Sequence, residues 1–137
     1  MTGLPELFMT TWNAIRDDEV SALAHLYHED CVFIDPVHEI HGLPALEAYC
    51  RKLYAGVEHC RFRFAALIVG DGKAALPWVM ELRMKKFRRG ETIELPGISE
   101  IRFDRKIHHH RDYFDLGDLV YERVMAEFLR RLQQRGL

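Results

Sequence analysis

The 137-residue chain has only 3 cysteines, Cys31, Cys50 and Cys60, and no two of them stand at C-x-x-C spacing. An odd, scattered set excludes a disulfide framework and a cysteine-rich zinc module. With no charged-then-apolar leader ahead of it, a reducing cytoplasm is the expected location. Charge of one sign is also missing: 19 basic against 21 acidic residues leave a formal net charge of -2. Nothing electrostatic therefore points to nucleic acid. The short basic stretches "RMKKFRR" and "RRLQQR" read as solvated faces and a favourable helix C-terminus. No run approaches the roughly 18 consecutive apolar residues of a membrane span. Gly-rich phosphate loops, G-x-S-x-G and a Cys–His nucleophile pair are absent too, which removes those enzyme classes. What remains is 48% hydrophobic and 29% charged sequence, enough to bury a core as one domain over residues 1–137.

The hydrophobic period divides the chain. From Leu4 the apolar residues fall at Leu7, Phe8, Trp12 and Ile15, the spacing of a helix with one face inward. Asp17 and Asp18 offer an N-cap for a short second helix carrying Val20, Leu23, Ala24, Leu26 and Tyr27. "CVFID" reads as a strand ending at Asp35. Gly42 and Pro44 open a third helix with Leu46, Tyr49, Cys50, Leu53 and Tyr54 inward. After Gly56 the period falls to two, the mark of strands. Phe62, Phe64, Ala66 and Ile68 alternate with Arg61 and Arg63, and "GDG" at 70–72 turns the chain. Trp78, Met80, Leu82 and Met84 form the next inward face, and "RRG" at 88–90 turns again. Ile93, Leu95, Ser99, Ile101 and Phe103 follow, and "KIHHHRDYFD" is the last strand. Asp118 caps a closing helix with the stripe Tyr121, Val124, Met125, Phe128, Leu129 and Leu132. Three helices followed by an antiparallel meander predict an α+β fold whose helices cover one face of a curved sheet. The concave space between them is where a small ligand belongs.

"LYHEDCVFIDPVHEIHGLPALEAYCRKLY" together with "GISEIRFDRKIHHHRDYFDL" resembles the SnoaL-like and ketosteroid-isomerase-like branch of the nuclear transport factor 2-like superfamily. The resemblance implies a cone-shaped α+β fold: a curved antiparallel sheet covered by three N-terminal helices, with a C-terminal helix and an apolar pocket. It also implies a homodimer formed through the sheet. The aspartate before the proline, which is the general base in ketosteroid isomerase, corresponds to Asp35. That enzyme's oxyanion-hole positions correspond to Thr11 and Ser99, neither an equivalent acid, so these positions count against steroid isomerisation, while a ketosteroid-isomerase-like isomerase or cyclase and an epoxide-hydrolase-like enzyme stay among the implied activities. "RDYFD" is similar to the end of the limonene epoxide hydrolase branch, whose first aspartate there serves in acid–base chemistry; it corresponds to Asp112. The polyketide-cyclase members, with a late acidic residue as acid–base, are compatible with the same position.

Alternation along the last strand places His108, His110, Asp112 and Phe114 on one face, and Ile107, His109, Arg111 and Tyr113 on the other. The expected pocket lining is Trp12, Cys31, Phe33, Asp35, Trp78, Met80, Leu82, Ser99, His110 and Asp112, joined by Tyr54 and Phe62. In such an apolar wall Asp35, restrained by Pro36, is the expected base, with His110 or Asp112 as acid or orienting partner. The competing reading of Asp35 is a cap on the turn that follows. Trp12, Phe33, Tyr54, Trp78, Met80, Leu82 and Ser99 are the expected substrate contacts. His108, His110 and Asp112 have metal-capable H-x-H-x-D spacing, but a flat strand spreads five residues over about 13 Å, so one ion would also need His38 or His41. No metal and no cofactor is therefore expected. The reading is a cofactor-independent acid–base enzyme, of isomerase, cyclase or hydrolase type, acting on a small apolar molecule that bears a polar group. A non-catalytic ligand binder and an assembly module with a filled core are the alternatives.

Overall fold

Pro5 sits in the first turn of α1, Leu4–Ala14, where its missing N–H costs nothing. In this computed structural model, which describes residues 3–86, 91–115, 117 and 130–136, the helix buries Pro5, Phe8, Thr11 and Trp12 on one face. It ends at Ile15, whose backbone is extended. Asp17 and Asp18 do not cap the second helix, whose N-cap position is Ala22. Arg16 and Glu19 close the turn by exchanging backbone hydrogen bonds instead. The second helix, α2, is the single turn Leu23–Leu26. Tyr27 does not belong to it. That residue opens β1, Tyr27–Ile34, because it pairs with Ile107 at the other end of the chain, and this long-range pairing outweighs the helical spacing.

β1 is followed by a short strand missed by the sequence reading, β2 (Glu39–His41), which folds back antiparallel on β1. Gly42, at φ 89, makes the left-handed turn that a side chain would strain, and α3 (Leu43–Ala55) begins there with Pro44 in its first turn. Its inward face is Leu43, Leu46, Cys50 and Tyr54.

The rest of the sheet is β3 (Val57–Phe64), β4 (Ile68–Gly70), β5 (Lys73–Met84), β6 (Ile93–Phe103) and β7 (Ile107–Phe114). The strand order is β2-β1-β7-β6-β5-β3, with β4 beside β5, in an open curved sheet of seven strands. All pairs are antiparallel except β1 with β7, which run parallel. The meander of β3, β5, β6 and β7 is antiparallel as expected, and the pairing of β1 was not specified by the sequence. The parallel pair arises because β1 precedes the meander and α3 carries the chain across to it.

Pro77 explains why β5 has two partners on one edge. Its carbonyl accepts from the Ala65 N–H at 2.9 Å, so the same edge lacks a donor at this point. The ladder stops there, with β3 pairing beyond Pro77 and β4 before it. Register shifts between β3 and β5, β6 and β7, and β1 and β7 add to the curl.

The helices lie on the concave face, where Phe8, Leu23, Leu26, Leu46, Leu76 and Ile101 form a dense core. Residues 130–134 are helical and Leu132 is half-buried. The expected cap Asp118, the stripe from Tyr121 to Leu129 and the turn at 88–90 lie outside the described residues. Among the described residues no helix is long and apolar enough to cross a membrane.

Candidate functional site

A cavity of about 260 Å³ remains between the helices and the sheet. Trp12 of α1, Phe33 of β1, Tyr54 of α3 and Trp78, Met80 and Leu82 of β5 make its apolar walls. Asp35, His38, Tyr49, Ser99, His110 and Asp112 supply its polar groups. All ten expected site residues thus border one space, along with Phe62. Cys31 does not: it is buried in the core, 1% exposed. Phe8, Val37, Tyr49, Leu53, Leu95 and Phe114 border it too. Phe8, Tyr49, Leu53 and Leu95 stood on faces predicted to be inward, but nothing in their spacing separated cavity from core. Among the described residues no Lys or Arg lines the cavity.

At the sheet side, Asp112 and His110 stand two residues apart on one face of β7, and Asp112 is the register partner of Ser99 on β6. His110 Nε2 lies 2.6 Å from Asp112 Oδ1, and the Ser99 hydroxyl donates to the same oxygen at 2.5 Å. Trp78 Nε1 donates to Ser99 Oγ at 2.8 Å. The far nitrogen of the imidazole, Nδ1, meets the Tyr27 hydroxyl at 2.6 Å, and Trp12 Nε1 donates to that hydroxyl at 3.0 Å. The side chain of His110 is 2% exposed and that of Asp112 is 19% exposed. Asp112 Oδ2 has no partner among the described residues. A carboxylate with one oxygen held and the other open beside an apolar space is equipped to accept a proton from a bound molecule.

Phe8, Trp12 and Phe33 present their rings edge-on to the His110 imidazole, at centroid distances of 5.1, 5.9 and 4.8 Å, and Tyr27 stacks on it at 5.9 Å. Burial pushes the Tyr27 phenol well above its ordinary pKa, against the lowering effect of the Trp12 bond. Tyr27 is the member of this hydrogen-bond network that sequence reasoning missed. No local signal could have found it, since its partner lies 83 positions away.

Asp35 occupies the opposite part of the wall, at the end of β1, and its side chain is 7% exposed. Its Oδ1 accepts the backbone N–H of Val37 at 2.8 Å and of His38 at 2.7 Å, closing the turn after Pro36. His38 Nδ1 lies 3.1 Å from the same oxygen. Oδ2 accepts the Tyr49 hydroxyl at 3.2 Å. Burial, and next the neighbouring Asp35 charge, raise the Tyr49 pKa. Asp35 is thus both a turn cap and a wall of the cavity. Every hydrogen bond it makes holds the site's own frame, which leaves Asp112 the better placed of the two carboxylates to meet a ligand.

The expected inward row His108–His110–Asp112 does not form. The β6–β7 ladder shifts register so that Phe103 pairs with Ile107 while Arg102 pairs with His109. This bulge turns Ile107 into the core and His108 out to solvent. His108 packs near the half-buried His28 ring instead, at 6.1 Å. His41 is exposed beside Glu39, at the end of β2. Among the described residues no three His, Cys, Asp or Glu side chains converge as a metal site. Arg111 and Tyr113 face outward, the guanidinium 4.8 Å above the Tyr113 ring. Thr11, matched earlier to an oxyanion-hole position, is buried in α1 and does not border the cavity.

Comparison with known proteins gives a consistent fold. The model of the SnoaL-like domain family matches residues 6–110. No curated protein matches the sequence. Among solved structures, a protein from Shewanella putrefaciens provisionally described as a SnoaL-like polyketide cyclase superposes with a TM-score of 0.76, at 15% identity over 91% of this chain and 88% of that one. A provisionally assigned isomerase from Rhodopseudomonas palustris also gives 0.76, at 17% identity over 90% of this chain and 98% of that one. A hypothetical protein with a ketosteroid isomerase-like fold from Catenulispora acidiphila, in complex with trimethylamine, gives 0.74 at 14% identity, over 86% of this chain and 89% of that one. At such identities the similarity carries the fold alone.

Proposed function

Because the chain belongs to the SnoaL-like domain family, we propose that it is a cofactor-independent acid–base enzyme acting on a small, uncharged, mostly apolar molecule that carries a carbonyl or similar polar group. Asp112 is the proton acceptor, with His110 and Ser99 holding it. Trp12, Phe33, Tyr54, Trp78, Met80 and Leu82 exclude water and hold the substrate, and Asp35 braces the far wall. The reaction class is isomerisation, cyclisation or hydration, in keeping with neighbours provisionally assigned as an isomerase and a polyketide cyclase. The observation that carries the reading is the division of labour at Asp112: two donors on Oδ1, and Oδ2 without a partner among the described residues. Two carboxylates in the wall, with His38 and His110 as the cation-capable groups and no Lys or Arg among the described residues, argue against an anionic ligand. A homodimer through the outer sheet face, where Arg111 stacks on Tyr113, and a cytoplasmic location remain part of this proposal.

The second reading is a non-catalytic carrier of such a molecule. It is favoured by the way Asp35 spends its hydrogen bonds on the protein itself. Native mass spectrometry of the purified protein identifies a bound molecule, and its conversion is then followed with Asp112→Asn. The variant is expected to bind normally and to turn over about 10²–10⁴-fold more slowly. Turnover at the wild-type rate removes Asp112 from the chemistry. A bound molecule that the wild-type protein never converts establishes the carrier.

A further inference from the structure

Outside the cavity wall, one buried side chain reaches the proposed chemistry: Tyr27 does not border the cavity, yet it holds the imidazole that holds Asp112. We propose that Tyr27 is a positioning residue that fixes His110 as the neutral Nε2–H tautomer, so that Asp112 always receives a hydrogen bond at Oδ1 and meets the ligand through Oδ2. This rests on the reading of Asp112 as the proton acceptor.

The argument is a count of hydrogens, begun at the two ends of the network. An indole N–H can only donate. At one end, Trp12 Nε1 donates to the Tyr27 oxygen at 3.0 Å, so the phenol accepts there and its single hydrogen is free for its other partner. That partner is His110 Nδ1 at 2.6 Å, which must then be the lone-pair nitrogen. The imidazole proton therefore sits on Nε2 and points at Asp112 Oδ1, 2.6 Å away. At the other end, Trp78 Nε1 donates to Ser99 Oγ at 2.8 Å, and the Ser99 hydrogen goes to the same carboxylate oxygen at 2.5 Å. Six side chains from α1, β1, β5, β6 and β7 share one hydrogen assignment, and both ends agree that Asp112 accepts.

The reverse assignment is costly. A proton on Nδ1 would face the phenolic hydrogen, or strand it inside a residue that is 1% exposed. Leaving a buried donor without an acceptor costs about 1–3 kcal/mol. Burial also keeps the phenol protonated, by raising the Tyr27 pKa. The groups packed on His110 are the Phe8 and Trp12 rings of α1, Tyr27 and Phe33 of β1, and Asp112 of β7. Of these, only Tyr27 can tell the two imidazole nitrogens apart from the side away from Asp112.

Nitrogen-detected NMR of the ligand-free protein at pH 7 reads the tautomer directly. The expected spectrum of His110 has Nε2 protonated and Nδ1 bare. In Tyr27→Phe, a protonated Nδ1 fraction is expected to appear, and kcat on the identified substrate to fall about tenfold or more with KM little changed. In Trp12→Phe, which keeps the phenol, the Nε2–H spectrum is expected to persist. A wild-type His110 that is protonated on Nδ1 overturns the proposal, and so does a Tyr27→Phe spectrum identical to wild type. If Tyr27→Phe does not fold, the wild-type spectrum still decides. If Asp112→Asn turns over normally while the Nε2–H spectrum stands, the acid–base reading falls and the tautomer assignment survives.

Discussion

The six-membered ring of Trp78 lies against Gly97, its register partner on β6, so closely that a Cβ at position 97 would collide with three of the ring carbons. That contact sets the height of the indole in the cavity wall, and through it the Trp78 Nε1–Ser99 bond that feeds Asp112. Gly97→Ala is expected to push the indole off Ser99 and to destabilise the protein by about 1–3 kcal/mol, the usual cost of overpacking. Urea denaturation gives the loss, and tryptophan fluorescence reports the displaced ring. Wild-type stability and an unchanged spectrum would show that the wall yields freely.

Asp35 has a prediction of its own. Removing the carboxylate in Asp35→Ala strands the Val37 and His38 N–H groups and the Tyr49 hydroxyl. A loss of about 1–2 kcal/mol is expected, comparable to loss of a helix cap. Asp35→Asn keeps an acceptor oxygen in the turn, so it is expected to recover most of that stability. Equal losses in the two variants, measured by chemical denaturation, would argue that the charge rather than the turn geometry matters.

Alkaline pH is expected to weaken the fold through its thiols. Burial pushes Cys50 up to about 12 and Cys60 up to about 11, from an ordinary value of 9.0. These folded values lie above the unfolded ones, so the stabilisation is complete below pH 9. It is lost as pH rises from about 9 toward the folded values, because the unfolded chain releases protons that the folded one keeps. Within that window each group accounts for a slope of about 1.4 kcal/mol per pH unit. Cys50→Ala is expected to flatten the decline between pH 9 and 11, whatever constant cavity cost it adds. Parallel stability curves for variant and wild type would contradict this account.

The sequence already contained most of what decides which side chains face inward. The period of two across β3, β5 and β6 put Phe62, Trp78, Met80, Leu82 and Ser99 on one surface, and the helical period did the same for Trp12 and Tyr54. A polar turn between apolar runs leaves the pleat little choice, because a one-residue slip would bury the charged set. The same reasoning failed at His108 and at Tyr27. Alternation assumes an unbroken ladder, and the bulge beside Phe103 breaks it between Ile107 and His109. Tyr27 follows the helical spacing of α2, yet it starts a strand because Ile107 is there to pair with it.

By itself the sequence determined the layers, most of the inward faces, though not Leu7, Ala66 or Ile68, which are exposed, and most of the groups available to the cavity, because burial of an apolar face is a local, periodic requirement that each segment states for itself. It did not determine which oxygen or nitrogen meets which. Tyr27 and His110 are 83 residues apart, and Ser99 reaches Asp112 only across two paired strands. A hydrogen bond is satisfied within a few tenths of an ångström, and that precision exists only after the strands have closed around one another. The tertiary structure therefore decided that Asp35 caps a turn, that Asp112 keeps an oxygen without a partner among the described residues, and that a buried tyrosine stands behind the histidine.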